Sequence, residues 1–374
     1  MDPLEREKTQ RILNWFLGKK QGPFKIDIEL HRRCNLKCLS CSRRADNNYG
    51  KINEFSKKIE MPLEKWMDVV DEASDLGVKE WHIAGGGDPP FVPHILFPVM
   101  KQIKKHNMYG ILTTNGTNLT KNGIKYLVGI SWDRIHFSID GPDAKTHDYL
   151  RQTPGCFRKV TNNILYLTRL KKKNKKDKPM LNMNIVLSIY NYNKLPQMVK
   201  LAKNLGIEYI FVEPLIVYSD YGKKLKLKEE HLKDFKKYLQ RAKALARRYN
   251  IDSNFTAIDN NLDSELIKKS SKMNEIVEKD TEGFEENSVL SVPCYDPWFH
   301  MSIKANGKVT ACDVSTDNSE NVKDKTLNEV WFGDYFEKIR KGFIEKNIPE
   351  FCKQCNPSHT TQRRWLRRMM EELK

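Results

Sequence analysis

The sequence lacks a long hydrophobic run and an apolar N-terminal stretch. None of its apolar segments approaches the ~20 residues that a membrane-spanning helix needs. The segment 1–7 is charged, so it has no apolar core of a secretory signal peptide. We therefore expect a cytoplasmic chain with no membrane partner.

Basic residues outnumber acidic ones. The 374 residues include 65 Lys and Arg against 48 Asp and Glu, which leaves a net charge of +17. Basic residues concentrate in the runs 169–178, 223–228 and 363–368. Such a balance suits an acidic partner: a nucleic acid, an anionic substrate, or an acidic electron donor such as flavodoxin or ferredoxin. A solvated lysine-rich surface explains it equally well, and charge alone is weak support for a nucleic acid.

Eight cysteines divide into three near the start, four near the end, and Cys156 by itself. In a reducing compartment they indicate metal binding rather than disulfides. Cys34, Cys38 and Cys41 lie within eight residues. Iron–sulfur clusters are normally held by four cysteines. Three thiolates therefore predict a cubane with one iron left for a substrate or cofactor, as open catalytic metal sites do. A zinc knuckle is the alternative.

Strand-like and helix-like segments alternate along the first 213 residues, which predicts right-handed crossovers and a parallel sheet. The predicted strands are Lys25–Leu30, Trp81–Ala84, Tyr109–Thr113, Arg134–Ile139, Asn182–Leu187 and Tyr209–Glu213. The predicted helices are Leu63–Leu76, Pro93–His106, Lys121–Val128, Phe157–Leu170 and Leu195–Leu205. Six such units favour an α/β fold with a partial (β/α)6 barrel; a flat doubly wound sheet is the alternative.

The cysteine spacing, three residues and then two, resembles the signature of the radical S-adenosylmethionine (radical SAM) superfamily. The resemblance implies that S-adenosylmethionine chelates the open iron of a [4Fe–4S] cluster. One-electron reduction of the bound S-adenosylmethionine then yields a 5′-deoxyadenosyl radical. Gly85, Gly86, Gly87 and Asp88 follow the second strand. They resemble the Gly-Gly-Glu motif of the family, whose backbone meets the ammonium group of the cofactor. Asp88 stands where that motif has Glu.

Three further residues of the barrel region are implied cofactor contacts. Asn115 lies in a Thr-Asn-Gly turn after the third strand, and Ser138 in a Ser-Ile-Asp-Gly segment after the fourth. By resemblance, Ser138 hydrogen-bonds the methionine part of the cofactor. Arg151 pairs with its carboxylate, because a guanidinium fork suits a carboxylate. Capping of a strand end by Ser138 and a surface ion pair of Arg151 are the structural alternatives.

The four C-terminal cysteines resemble the SPASM domain, which carries auxiliary iron–sulfur clusters. A hairpin with Gly307 separates Cys294 from Cys312, and the segment Leu327–Trp331 opens a helix. Cys352 and Cys355 close the set. A full SPASM domain continues with more cysteines, but none follows here, and position 361 is Thr. Four thiolates suffice for one auxiliary [4Fe–4S] cluster; a structural zinc site fits the same ligand count.

These observations predict four regions. They are an N-terminal helical extension (1–24), a radical SAM partial barrel (25–220), a charged helical bridging region (221–289) and a small cysteine-rich α+β auxiliary-cluster domain (290–374).

The resemblance implies a radical SAM enzyme that removes a hydrogen atom from its substrate and uses the auxiliary cluster for oxidation. A peptide or protein is the first expectation for the substrate. Dehydrogenation of a sugar or cyclitol alcohol is the second, and nucleic-acid modification is less favoured. A non-enzymatic zinc protein is disfavoured by the intact three-cysteine set. Asp140, Asp148 and Glu213 follow strands, but no general base emerges from the sequence.

Overall fold

The computed structural model describes residues 3–42, 60–217, 220–262, 294–312 and 320–345, together with 347, 349 and 352. The strands are β1 (Lys25–Ile28), β2 (Glu80–Ile83), β3 (Tyr109–Thr114), β4 (Arg134–Ser138), β5 (Met180–Val186), β6 (Tyr209–Glu213), β7 (Asp252–Ser253), β8 (His300–Ile303), β9 (Lys308–Thr310) and β10 (Glu320–Asn321). The helices are α1 (Pro3–Phe16), α2 (Leu63–Asp75), α3 (Pro93–Lys105), α4 (Lys121–Gly129), α5 (Ala144–Arg151), α6 (Cys156–Lys173), α7 (Leu195–Leu205), α8 (Asp220–Lys223), α9 (Glu229–Tyr249), α10 (Phe255–Leu262), α11 (Leu327–Trp331) and α12 (Asp334–Ile344). In these ranges, no helix combines the length and the apolar character that crossing a membrane requires.

Two compact units divide the chain. The first consists of Met1–Arg32, Asn53–Ile111 and Thr281–Lys374, and the second of Arg33–Ile52 and Leu112–Asp280. The boundary falls inside β3, which contributes its first half to one unit and its second half to the other. The region boundaries predicted at residues 24, 220 and 289 rest on composition and motifs, and they stay predictions.

In the first unit the strand order is β10-β9-β8-β1-β2-β3. β8 runs parallel to β1, with Lys25 opposite His300 and Ile28 opposite Ile303. β9 then returns antiparallel to β8 through a turn at Gly307, whose φ of +83° favours glycine. The hairpin that precedes the last cysteines is therefore built directly onto the first strand.

In the second unit β4, β5, β6 and β7 lie side by side and pair in parallel. The helix α7 buries Leu195, Met198, Val199, Ala202 and Leu205. This i, i+3, i+4, i+7 spacing makes one apolar face. The helix ends at Gly206, whose φ of +73° is the left-handed conformation of a common helix stop.

The predicted strands and helices agree with the observed ones to within a few residues. β5 begins at Met180, two residues earlier than predicted, and α6 runs on to Lys173. The helix α5 is not among the predicted helices. This helix is eight residues long, buries only Thr146, His147 and Leu150, and is begun by the Asp143 side chain, which accepts a hydrogen bond from Thr146 N at 2.8 Å. Its apolar pattern is too short to be read as a helix.

Arg340 anchors the C-terminal helices of the first unit to α1. Its guanidinium carbon lies 4.5 Å from the ring centroids of both Trp15 and Trp331. Its Nε donates to Pro297 O at 2.9 Å and its Nη1 to Trp331 O at 3.0 Å. The residue is only 3% exposed, and burial lowers the pKa of its guanidinium to about 10. A buried cation between two indole faces is stabilised by cation–π attraction as well as by hydrogen bonds.

Replacing Arg340 with Met should destabilise the first unit by about 2–4 kcal/mol, because two carbonyl groups lose their charged donor and the indole rings lose their cation. Arg340→Lys should recover only part of the lost stability, because an ammonium group lacks the planar fork with which the guanidinium reaches both carbonyl oxygens. Chemical denaturation of both variants measures the effect. Equal stability of Arg340→Met and the parent chain would contradict the assignment.

Candidate radical cluster site

The three N-terminal cysteines lie in the second unit, in the loop 33–42, which is tied to the end of α5. Lys37 N donates to Arg151 O at 3.2 Å, and Leu39 N donates to Leu150 O at 2.9 Å. The Leu39 side chain packs in a buried cluster with Leu150 and Leu225. Backbone pairing and apolar contact thus position the cysteines independently of any bound group.

Nitrogen donors lie within hydrogen-bonding distance of two of the three sulfur atoms. Arg151 Nη1 lies 3.6 Å from Cys38 Sγ, and Asn115 Nδ2 lies 3.8 Å from Cys34 Sγ. Leu36 N also donates to Cys34 Sγ, at 3.5 Å. Hydrogen bonds to sulfur are one of the means by which proteins set the potential of an iron–sulfur cluster.

The thiol of Cys38 is electrostatically coupled to its two partners. Burial is the main cause that raises the pKa of Cys38 to about 11; the neighbouring Cys34 and Cys41 contribute to the rise, and Arg151 opposes it. The three thiols therefore lie close enough to interact. Three thiolates on one loop suit a cubane, because a cubane binds each thiolate to a different iron. The donor set fits the cluster.

Asn115 is held in place by a network of side-chain amides. Its Nδ2 donates to Asn35 Oδ1 at 3.1 Å, and its Oδ1 accepts from Thr117 N at 2.8 Å. Asn118 Nδ2 donates to the same Asn35 oxygen at 3.0 Å. The turn after β3 is thus joined to the cysteine loop through Asn35, a residue that the sequence analysis did not single out.

Arg151 forms a buried ion pair with Asp140, with 2.8 Å between Nε and Oδ2. The Nε–H does not point at an acceptor with hydrogen-bond geometry, so the contact is an ion pair rather than a hydrogen bond. Burial lowers the pKa of Arg151, but the charge of Asp140, together with Cys38 and Cys156, more than reverses this and raises the pKa above its ordinary value. The Arg151 guanidinium faces Asp140 and Cys38, which differs from the surface ion pair considered from sequence. Its pairing with the carboxylate of S-adenosylmethionine stays a prediction.

Asp140 is itself fixed by its surroundings. Its Oδ1 accepts from Val186 N at 3.0 Å, and its backbone N donates to His147 Nδ1 at 3.2 Å. His147 is buried, and burial lowers its pKa to about 3, so the ring is neutral and able to accept. The sequence placed Asp140 at a strand end; only the fold shows that it orients Arg151. Ser138, the last residue of β4, lies opposite Asn184 of β5, and its role stays a prediction.

The glycine-rich turn belongs to the first unit. Gly85 and Gly86 have φ values of +78° and +58°, and Gly87 N donates to Gly85 O at 2.6 Å. A Cβ on Gly86 would lie 2.5 Å from His31 O and 3.0 Å from Glu29 Oε2. Asp88 is 2% exposed. The turn therefore needs glycine for both its backbone conformation and its close neighbours.

Glu29 brings a carboxylate to this turn that the sequence analysis missed. A Cβ on Gly85 would lie 3.2 Å from Glu29 Oε1, and the same oxygen pairs with Lys304 Nζ at 2.9 Å. Lys304 directly follows β8. The alternation Lys25–Leu30 placed Glu29 in a strand, and its position beside the turn depends on the pairing of β1 with its neighbours.

The described C-terminal cysteines, Cys294, Cys312 and Cys352, all lie in the first unit. Thr310 Oγ1 donates to Cys312 O at 3.0 Å, and Tyr335 Oη accepts from Ala311 N at 3.2 Å. Cys352 is 9% exposed. Cys355 lies outside the described residues, so the four-cysteine set stays a prediction.

Comparisons with known proteins bear on this arrangement. The family model described as "Radical SAM superfamily" matches residues 28–202, and the SPASM model, "Iron-sulfur cluster-binding domain", matches residues 294–356. Residues 28–202 are a radical SAM domain. The chain carries a SPASM domain after its radical SAM domain, and the predicted fold class is confirmed. S-adenosylmethionine and iron–sulfur clusters are its cofactors.

Three known proteins illustrate the range of relatives. The chain is 29% identical to the PqqA peptide cyclase of Methylocella silvestris over 185 residues, which are 50% of this chain and 45% of that protein. It is 25% identical to the AdoMet-dependent heme synthase of Methanosarcina barkeri over 326 residues, 87% of this chain and 86% of that one. It also resembles Streptococcus suis SuiB bound to the precursor peptide SuiA, with a TM-score of 0.63, 16% identity, and coverage of 93% and 74%. The chain thus spans about half the length of the first of these relatives.

Arg151 and Asp140 should shift the reduction potential of the first cluster in opposite directions. Arg151→Gln removes a cation beside Cys38 and should lower the potential, because the reduced cluster is the more negative state. Asp140→Asn leaves the guanidinium uncompensated and should raise it. About 59 mV accompanies each tenfold change in a one-electron equilibrium, and shifts of that order are expected in titrations followed by electron paramagnetic resonance.

The matched control is Arg169→Gln, which removes the same charge from an exposed position on α6. Shifts of equal sign in Arg151→Gln and Asp140→Asn, or none larger than in the control, would refute the electrostatic role.

Gly86→Ala should weaken S-adenosylmethionine binding and destabilise the turn by at least about 1 kcal/mol, because it places a Cβ against His31 O at a positive φ. Gly129→Ala is the control, since a Cβ there meets nothing within 4 Å. Calorimetric binding and thermal unfolding of the reconstituted proteins test both. Normal binding by Gly86→Ala would show that this turn is not a cofactor contact.

Proposed function

We propose that the chain catalyses the oxidative modification of a peptide or protein. The similarity to a PqqA peptide cyclase, at 29% identity over half of this chain, supports a peptide as the class of substrate. The solved structure of SuiB with a precursor peptide, which shares the fold, is consistent with it. When bound, the first cluster and S-adenosylmethionine supply a radical strong enough to remove a hydrogen atom from an unactivated carbon.

In this proposal, the residues of the second unit hold and tune the first cluster. Cys34, Cys38 and Cys41 provide the three thiolates, and the tethers to α5 keep their loop in place. Asn115 and Arg151 donate N–H groups to two of the sulfurs. Gly85, Gly86, Gly87 and Asp88 receive the amino end of S-adenosylmethionine through backbone groups, and Ser138 serves as a further cofactor contact.

In this proposal, the C-terminal cysteines hold the electron acceptor that makes the reaction an oxidation. Cys294, Cys312, Cys352 and Cys355 would ligate every iron of one auxiliary [4Fe–4S] cluster. A closed cluster has no iron to bind substrate, so it suits the acceptance of an electron from an oxidised substrate. An external flavodoxin or ferredoxin is the proposed source of the first electron.

A tetrapyrrole is the second candidate substrate. The AdoMet-dependent heme synthase is similar over 87% of this chain and 86% of its own length, so it covers both the radical SAM and the SPASM regions. Oxidation of a sugar or cyclitol alcohol and modification of a nucleic acid have no comparable support.

Two sets of cysteine variants separate the roles of the clusters. The intact reconstituted protein should hold about eight irons, four in each cubane. Replacing Cys34, Cys38 and Cys41 with Ala should leave about four irons and abolish 5′-deoxyadenosine formation. Replacing Cys352 and Cys355 should also leave about four irons, yet spare 5′-deoxyadenosine formation and stop substrate oxidation.

Cys156→Ser is the control: this buried cysteine donates to Asp148 Oδ1 at 3.1 Å and should keep the full iron content. Substrate class is tested by mass spectrometry of short peptides encoded beside the gene, in parallel with porphyrin precursors followed by absorption. Turnover of a porphyrin and of no peptide would replace the first candidate with the second. One zinc in place of the second set of irons would remove the electron-acceptor role.

A further inference from the structure

A basic surface adjoins the cysteine loop of the second unit. Lys37 in the loop, Lys121 at the start of α4, and Arg158 and Lys159 in the first turn of α6 are all exposed. We call these four residues the loop-side basic face. The segments that build it, 33–42, 115–129 and 151–173, contain Lys and Arg residues but no Asp or Glu.

Hydrogen bonds and a lysine–aromatic contact join these segments into one surface. Asn35 Nδ2 donates to Thr117 Oγ1 at 2.7 Å, which links the cysteine loop to the turn before α4. Asn163 Nδ2, on α6, donates to Gly116 O at 2.8 Å and to Leu119 O at 2.9 Å. Lys121 Nζ lies 5.8 Å from the ring centroid of Tyr166, which is also on α6. Lys159 lies one turn before Asn163 on the same side of that helix.

The nearby carboxylate of Asp148 does not offset this charge at the surface. Its Oδ2 accepts from Gly155 N at 2.6 Å, and its Oδ1 accepts from Phe157 N at 2.8 Å. The side chain is thus turned into the start of α6, where it satisfies backbone donors. The face therefore presents cations to the solvent beside the loop that carries Cys34, Cys38 and Cys41.

We propose that the loop-side basic face is the docking surface of an acidic one-electron donor, a flavodoxin or a ferredoxin. The inference rests on the proposed function, which requires electrons from outside the chain. The rate of electron transfer falls steeply with distance, so a donor must dock close to the accepting cluster. A basic face beside the cluster loop attracts an acidic protein to that place and orients it.

The other basic run on α6 provides an internal comparison. Lys172 and Lys173 are exposed at the far end of this helix. They lie about 20 Å from Lys159, at 1.5 Å per residue, which exceeds the Debye length of about 8 Å at physiological ionic strength. Charges there contribute to the net charge but not to docking at the loop.

The test compares two double charge reversals of equal size. Lys121→Glu/Lys159→Glu alters the docking face, and Lys172→Glu/Lys173→Glu alters the far end. Glu is favourable in the first turn of a helix and unfavourable in the last, so any folding defect should affect the control more. The reconstituted full-length proteins are mixed with a photoreduced acidic flavodoxin and, separately, with an acidic ferredoxin. Bleaching of the clusters is followed by stopped flow at low and high salt, with dithionite as a small reductant that needs no docking.

At low salt, reduction by the protein donors should slow about tenfold or more in Lys121→Glu/Lys159→Glu, and the rate should lose most of its salt dependence. The control should change by less than about twofold, and reduction by dithionite should be unchanged in both. Equal rates in the two variants would overturn the proposal, as would a parent chain reduced by dithionite but by neither donor.

Salt-sensitive binding of an oligonucleotide that is lost in the docking variant, with unchanged donor rates, would assign the face to nucleic acid instead. Because bleaching is measured without S-adenosylmethionine turnover, a parent chain that is reduced but forms no 5′-deoxyadenosine would refute the proposed function and leave the docking result intact.

Discussion

The buried guanidinium of Arg151 is the constraint on which the cluster loop depends. It faces Cys38 on one side and Asp140 on the other, and the backbone carbonyl of the same residue accepts from Lys37 N. Removing one partner of a buried ion pair leaves an uncompensated charge, which costs several kcal/mol. The cysteine loop, α5 and the ends of β4 and β5 are therefore locked into one arrangement, and the electrostatics at the sulfurs follow from it.

In the first unit, the pairing of β8 with β1 has a comparable effect. The C-terminal hairpin extends the sheet at the strand that leads to the cysteine loop, so it is not an independent appendage. Lys304 at the end of β8 pairs with Glu29, whose carboxylate lies against Gly85 and Gly86. The Lys304–Glu29 ion pair therefore links the hairpin to the glycine turn.

The positive charge of the chain is divided between places with different consequences. Near the cysteine loop, basic residues lie on segments without carboxylates, and the Asp148 carboxylate is turned into the start of α6. At the far end of α6, Lys171 pairs with Glu208 at 3.3 Å, and the remaining lysines extend into solvent. Net charge alone does not distinguish these two surfaces, because screening makes each of them act only over its own neighbourhood.

The alternation of strands and helices, the cysteine spacing and the glycine-rich turn could be predicted from the amino-acid sequence. These depend on local patterns: apolar periodicity, thiols a few residues apart, and backbone conformations that only glycine adopts easily. The superfamily, the fold class and the cofactors could be predicted on that basis. The tertiary structure decided the partners of the individual side chains. Arg151 meets Cys38 across 113 positions and Glu29 meets Lys304 across 275. No local pattern carries such contacts, because they arise only when the strands pair and the loops at their ends come together.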